Sequence, residues 1–345
     1  MNSAIDHKCP NCDSVLKFNP HTQSWVCEYC RGEFNLEEID AYNKKSKKVI
    51  DESIDSLNEY VCNNCGALIV ASPNVSTTSC IYCKNTAILK NKLQGEFSPK
   101  YLIPFKYTKE DAIEAFKKLG KGKILMPKEF NNTKNINEMS GIYIPFWLYD
   151  YDSAGTIEAD CKKITTWRSG NYSYTKTDTF LATRTGSMSF ERIPVDGSKR
   201  FENDIMNSIE PFDYKDLKDF NLSYLSGFLS EKYDVNETEA ETEAEKRAKN
   251  SFIEQLNNDI VGYNTVVPVK NDITLKKTNC NYVLLPVWML NIKYKDKIYT
   301  FAMNGQTGKL LGNIPIDKKK AVLIFVIMFI LLTLIITGIN LVVMS

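Results

Sequence analysis

A chain of 345 residues is long enough for two or three domains. Its 43 basic and 42 acidic side chains balance, so the molecule as a whole makes no electrostatic case for polyanion binding. Only two histidines, His7 and His21, occur, and both sit near the N-terminus; this excludes His-based triads, Cys–His pairs and His-rich metal sites from the rest of the chain.

Met1 to Pro10 contains no apolar stretch of signal-peptide kind, so no export signal is expected there. Four Cys-x-x-Cys pairs follow: Cys9/Cys12 with Cys27/Cys30, then Cys62/Cys65 with Cys80/Cys83. Every cysteine of the second set lies 53 positions after its counterpart, and each set keeps 14 residues between its pairs. Both second pairs read Cys-x-Tyr-Cys. Zn²⁺ takes four thiolates at about 2.3 Å in a tetrahedron, and two hairpin knuckles deliver them in pairs. The spacing predicts two tandem four-cysteine zinc ribbons, over residues 1–35 and 61–92, each with one structural Zn²⁺. Segments so short and so poor in large apolar groups need the metal to fold, with on the order of 10 kcal/mol from its binding. A thioredoxin-like redox site would instead place one pair in a βαβ unit. Thiols used in this way suit a reducing compartment.

Residues 36–60 link the ribbons. They carry Lys44, Lys45, Lys47 and Lys48, and Ile50, Ile54, Leu57 and Val61 fall on one stripe of a short helix. Residues 1–97 hold 10 basic and 12 acidic groups, before the thiolates are counted. Phosphate binding wants clustered positive charge, which only the Lys44–Lys48 run offers. Protein recognition is therefore favoured over nucleic acid for this head.

Residues 93–316 form the body. Thr108 followed by Asp111 predicts a capped helix ending near Leu119. Ile142 to Glu191 reads as strands with turns at Asp152–Gly155 and Ser169–Asn171. Glu202 to Tyr233 reads as helix broken at Pro211, and a longer helix spans Glu237 to Asn257 with Ala240, Ala244, Ala248 and Phe252 on its buried stripe. Tyr282 to Leu311 reads as a meander with turns at Lys295–Asp296 and Asn304–Gly308. Ile144-Pro145-Phe146-Trp147 resembles Leu285-Pro286-Val287-Trp288, with a third start at Ile103-Pro104-Phe105. Proline fits the first residue of a strand, so a repeated strand start is expected, with an aromatic groove for a peptide or lipid as the alternative. Gly305–Lys309 has two residues between its glycines where a phosphate loop has four, and reads as a turn. Cys161 and Cys280 read as core residues.

Residues 317–345 end the chain. Ala321 to Met344 is 24 residues without a charge, about 36 Å of helix against a hydrocarbon core of about 30 Å. Lys318, Lys319 and Lys320 precede the span and only Ser345 follows it. The positive-inside rule then places residues 1–320 in the cytoplasm, and a span so near the end implies insertion after translation. The expected architecture is α+β and multidomain: two ribbons, a β-rich body with helices, and one C-terminal transmembrane helix.

The pattern resembles a bacterial family of membrane proteins described as TFIIB-type zinc-ribbon-containing. Beyond the ribbons, the residues that carry the resemblance are Tyr143-Ile144-Pro145-Phe146-Trp147, Ile193-Pro194-Val195-Asp196-Gly197-Ser198, Ser208-Ile209-Glu210-Pro211, Tyr224-Leu225-Ser226-Gly227-Phe228 and Asn304-Gly305-Gln306-Thr307-Gly308. Members often carry a primosomal-helicase label that rests on ribbon cysteines alone, and this chain has no helicase motor motifs. Some relatives resemble membrane partners of phage-shock-protein-A-type envelope-stress proteins. The resemblance implies a non-enzymatic adaptor that recruits a cytoplasmic protein to the bilayer, where tethering raises the partner's effective concentration. The alternatives are a membrane-tethered nucleic-acid-binding or transcription-linked ribbon protein, and an enzyme with a carboxylate or lipid site in the body.

Overall fold

The computed structural model describes residues 7–45, 58–62, 64–71, 80–83, 88–92, 98–199, 203–295 and 297–344. Ile50, Ile54 and Leu57 of the expected linker stripe, Lys47 and Lys48, Glu202 and Asp296 lie outside the described residues. The fold is mixed α+β and rich in strand.

The head begins with a small antiparallel sheet of β1 (Leu16–Asn19), β2 (Ser24–Cys27) and β3 (Glu33–Phe34). Helix α1 (Leu36–Lys45) follows, opened by a capping box in which Asn35 Oδ1 accepts from the Glu38 N–H and the Glu38 carboxylate accepts from the Asn35 N–H. Val61 does not end a helix: it lies in β4 (Asn58–Cys62), hydrogen-bonded between β5 (Leu68–Ala71) and β6 (Ile88–Lys92).

In chain order the body holds β7 (Tyr101–Leu102), α2 (Lys109–Gly120), α3 (Thr133–Asn137), β8 (Ser140–Ser169), β9 (Tyr172–Asp196) and α4 (Asn203–Ile209). Then come β10 (Lys218–Asp219), β11 (Leu229–Glu231), α5 (Glu237–Asn258), β12 (Thr265–Tyr294), β13 (Lys297–Asn304), β14 (Leu310–Leu311) and α6 (Lys318–Met344). The main sheet runs β10-β7-β12-β8-β11-β5-β4-β6, with β9 also on β8 and β13 also on β12. Strands of the second four-cysteine segment thus continue the body's sheet through β5 and β11. Over Gly141–Tyr149, β8 is buried on both faces, which is why its sequence is a continuous apolar run rather than an alternation.

Helix α2 forms where its cap predicts and α5 where its apolar stripe predicts, and both are opened by capping boxes. Thr108 and Asn236 each accept from the N–H three residues on, and Asp111 and Glu239 bond back to the cap. Ala240, Ala244, Ala248 and Phe252 are buried as expected. Two further expectations fail here. Asp152–Gly155 is no turn: β8 and β9 pair without interruption across it. A Cβ on Gly155 would come 2.4 Å from the Asp272 carbonyl oxygen, so glycine is there to let β12 approach closely. Among the described residues of 203–233, only α4 is α-helix. Asp213 and Asn221 side chains bond the N–H groups of Lys215 and Ser223 and start tight 3₁₀ turns, a local alternative to helix.

The two Ile/Leu-Pro-x-Trp segments are the centre of an internal duplication. Each half runs short strand, helix, long strand, strand, with the short α3 as an addition before β8 in the first: β7-α2-β8-β9 and then β11-α5-β12-β13. The repeats pair antiparallel with each other, and Ile144 faces its own counterpart Leu285, so a pseudo-dyad passes between them. Each half's first strand pairs in parallel with the other half's long strand: β7 with β12 (Leu102↔Leu284) and β11 with β8 (Ser230↔Tyr143). The hydrogen bonds repeat as well. Trp147 Nε1 donates to the Val235 carbonyl and Trp288 Nε1 to the Tyr107 carbonyl, both at 2.9 Å and both one residue before a helix cap. The Gly197 N–H donates to Pro145 O at 2.8 Å and the Gly305 N–H to Pro286 O at 2.9 Å.

That last pair explains the prolines. Pro145 and Pro286 lie inside long strands rather than at their starts. Each sits where its neighbour, β9 or β13, turns away after pairing with the next residue, so the missing N–H leaves no ladder position empty. Trp147 and Trp288 are 8 % and 6 % exposed. Both indoles fill core rather than line a groove. The Phe105–Trp288 and Tyr233–Trp147 rings repeat the same packing, each pair 5.2 Å apart.

Candidate metal centres

In three of the four Cys-x-x-Cys pairs the backbone folds into the same knuckle. The N–H of Cys9, Cys27 and Cys62 donates to the carbonyl five residues on, in Ser14, Gly32 and Ala67. The residue after the second cysteine, Asp13, Arg31 or Gly66, takes positive φ (61°, 58° and 71°) and bonds back to the first cysteine's carbonyl. Backbone N–H groups then point at sulfur: Asn11 at Cys9 (3.4 Å) and Cys30 at Cys27 (3.5 Å). Residues 84–87, which would complete the fourth knuckle, lie outside the described residues.

The knuckles meet as the spacing predicts. Cys9, Cys12, Cys27 and Cys30 bring their sulfurs within 4.8 Å of one another, and so do Cys62, Cys65, Cys80 and Cys83. Closest approaches are 3.5 Å (Cys9–Cys30), 3.6 Å (Cys12–Cys27), 3.5 Å (Cys62–Cys83) and 3.7 Å (Cys65–Cys80). A tetrahedron with metal–sulfur bonds of about 2.3 Å has edges of about 3.8 Å. All eight thiols are free, and no S–S bond competes for them. In each pair the first cysteine is buried and the second is more open, so each centre faces inward on one side only. The Cys30 and Tyr29 N–H groups bring the Cys27 thiol down to about 6, while burial pushes Cys9, Cys65 and Cys80 up. A cation offsets that burial penalty by neutralising the thiolates, so each cluster can hold a metal ion.

Neither histidine joins a cluster. Burial lowers His7 to about 4, which makes it a neutral core residue, and His21 Nε2 lies 2.7 Å from Asp111 Oδ2 at the N-terminus of α2. Cys161 is fully buried in strand β8; Cys280 is partly buried in β12, and burial raises its thiol to about 12. The Gly305–Lys309 segment is a turn, held by Asn304 Oδ1 accepting from Gln306 and Thr307 N–H.

What the sequence did not reveal is how firmly both centres are joined to the body. In the first, Trp25 Nε1 donates to Ser223 O at 2.7 Å, and Phe18 and Trp25 pack on Tyr224. In the second, Tyr82 of the Cys80-Ile81-Tyr82-Cys83 knuckle donates to Glu231 at 2.6 Å, and Ser198 donates to the same carboxyl at 2.9 Å. Glu231 is fully buried in β11. Tyr82→Phe withdraws one donor from that buried group, and a loss of about 1–3 kcal/mol is expected in denaturant titrations of the detergent-solubilised protein. Unchanged stability would show that the knuckle tyrosine is not a strut.

The sequence is 35% identical over 316 residues to YdjG of Bacillus subtilis (strain 168), a protein described as uncharacterized, with 92% of each chain covered. The chain belongs to the YdjG family. The aligned length shows that the likeness extends well beyond the cysteine clusters into the body. No family model matches the sequence, and no solved structure matches it. In this YdjG-family chain the C-terminal helix α6 is long and apolar enough to cross a membrane, and none of its most apolar window is buried.

Proposed function

We propose that the chain is a non-enzymatic, single-pass membrane adaptor of the TFIIB-type zinc-ribbon kind. Two structural Zn²⁺ ions are held by Cys9, Cys12, Cys27 and Cys30 and by Cys62, Cys65, Cys80 and Cys83. The head and body face the cytoplasm and recruit a protein partner there, an envelope-stress protein of the phage-shock-protein-A type by the family resemblance. The observation that carries this reading is α6, whose large apolar side chains from Val322 to Ile336, Ile324 apart, are 45–70 % exposed around the helix. In water such a surface is a liability, and in a bilayer it is an anchor.

Three further features support it. Four-thiolate sets at tetrahedral spacing suit Zn²⁺, and thiols kept for metal suit a reducing compartment. Lys318, Lys319 and Lys320 at the start of α6 favour a cytoplasmic body by the positive-inside rule. Residues 1–97, with 10 basic and 12 acidic side chains, lack outside the Lys44–Lys48 run the clustered positive charge that phosphate binding wants, which favours protein recognition as the role of the head. A crosslinked pull-down of the full-length protein from membranes tests the reading. A coiled-coil stress protein should be recovered with the wild type and depleted at least fivefold with Cys62→Ser/Cys65→Ser. Recovery of DNA without such a partner would favour the nucleic-acid reading instead.

A further inference from the structure

The start of α6 is tied to a segment remote in sequence. The Asp317 N–H donates to Leu125 O at 2.8 Å, and Lys320 Nζ donates to Met126 O at 2.6 Å. Asp317 Oδ1 in turn accepts from the N–H groups of Lys319 and Lys320 and caps the helix. The loop after α2 is therefore fixed at the point where α6 leaves the body. With α6 in a bilayer, this loop lies at the bilayer surface.

Its composition fits that place. Residues 117–128 contain five lysines and no acid. Lys118 pairs with Glu114 at 2.8 Å, whereas exposed Lys117, Lys121, Lys123 and Lys128 have no ion-pair partner among the described residues. Gly122, at φ +80° with open space around it, sits in a tight turn closed by Lys123 N–H to Gly120 O and Met126 N–H to Lys123 O. That turn presents Ile124 at 78 % exposure, and Ile316 beside the helix start is 60 % exposed. Between loop and α2 lies an open groove of about 500 Å³, with Phe116, Met126 and Phe130 along it and Lys117, Lys121 and Lys123 at its rim.

We propose that residues 117–128 form a second membrane contact, in which Lys117, Lys121, Lys123 and Lys128 bind headgroups of anionic phospholipid and Ile124 enters the acyl boundary. The inference rests on the reading that α6 crosses a bilayer. Clustered ammonium groups are attracted to an anionic leaflet within a Debye length, and an aliphatic tip gains by leaving water only where hydrocarbon is at hand. A soluble polyanion would use the lysines but not Ile124, Ile316 or the apolar groove. The hydrogen bonds from the helix start to the Leu125 and Met126 carbonyls favour the bilayer.

The test uses the full-length chain with Ile124→Trp, reconstituted into phosphatidylcholine vesicles with brominated acyl chains, with or without phosphatidylglycerol. Native tryptophan signal is subtracted with the unsubstituted protein, and alkaline carbonate extraction reports whether α6 is inserted. The expected result is carbonate-resistant protein whose added indole is quenched at least twofold more with phosphatidylglycerol. K117Q/K121Q/K123Q/K128Q in the same background should stay resistant and lose that difference. Resistant protein with equal quenching in both vesicles overturns the proposal. So does lysine-dependent retention of a soluble oligonucleotide that phosphatidylglycerol fails to compete away. Extraction by carbonate would overturn the α6 reading and this one with it, whereas the other outcomes leave α6 standing.

Discussion

Removing metal with a chelator at neutral pH will unfold the head of the full-length protein, and replacing one cysteine pair will remove one ion of two. Cys9→Ser/Cys12→Ser should leave one Zn²⁺ per chain by metal analysis, as should Cys62→Ser/Cys65→Ser. Structural Zn²⁺ supplies on the order of 10 kcal/mol to small domains of this type, comparable to the whole stability of an average domain. The head's own strands are two to five residues long and cannot replace that contribution. The damage should also spread inward. Loss of the second centre frees β5, which is hydrogen-bonded to β11, and withdraws Tyr82 from Glu231. Loss of the first loosens Trp25 from Ser223 and Tyr224. Near-UV circular dichroism before and after chelation measures this, and an unchanged spectrum would show that the ribbons stand on their cores alone.

Trp288→Ala should cost about 3–5 kcal/mol, the range for truncating a buried aromatic. The indole packs on Phe105 at 5.2 Å and Phe228 at 5.9 Å, and its N–H holds the Tyr107 carbonyl just before the α2 cap. Trp288→Phe retains most of the ring and loses the hydrogen bond, so about 0.5–1.5 kcal/mol is expected. The pseudo-dyad makes Trp147 the equivalent residue, with Tyr233 and Tyr282 around it and Val235 O as its acceptor. Trp147→Ala should therefore fall in the same range by denaturant titration. A cost under about 1 kcal/mol at either site, well below the range for such truncations, would mean that the two halves do not share one packing plan.

The sequence was most legible where chemistry fixes a local spacing. Cysteine intervals predicted which sulfurs meet, because a tetrahedral ion admits few arrangements of two knuckles. Thr108 with Asp111 marked the start of α2, and the alanine stripe marked the buried face of α5, because capping and helical period are local. Legibility fell where the partner is distant. Gly155 looked like a turn residue, and only the approach of Asp272 from β12 shows it as a contact point. The apolar residues of 202–233 suggested helix, yet Asp213 and Asn221 bond their own backbone and β11 is drawn off into the sheet. The proline–tryptophan repeat was visible, but nothing local says that its two copies pair with each other. The lysines of 117–128 were likewise ordinary in sequence. Their position becomes informative only through the bonds of Leu125 and Met126 to the start of α6.

The pseudo-dyad also bears on how such a body can be taken apart. Each half lends its opening strand to the long strand of the other, so neither half is complete without its twin. This is the geometry of a strand-exchanged dimer contained within one chain, with the pairing of β8 and β12 at the centre of the core. The two halves differ where they meet the rest of the chain. One has a short helix whose following loop meets the start of α6, and the other has a longer helix and an opening strand whose outer edge pairs with the second cysteine segment. A body with two-fold internal symmetry thus carries one pair of cysteine clusters at one end of the chain and one apolar helix at the other, so its symmetry stops at the core.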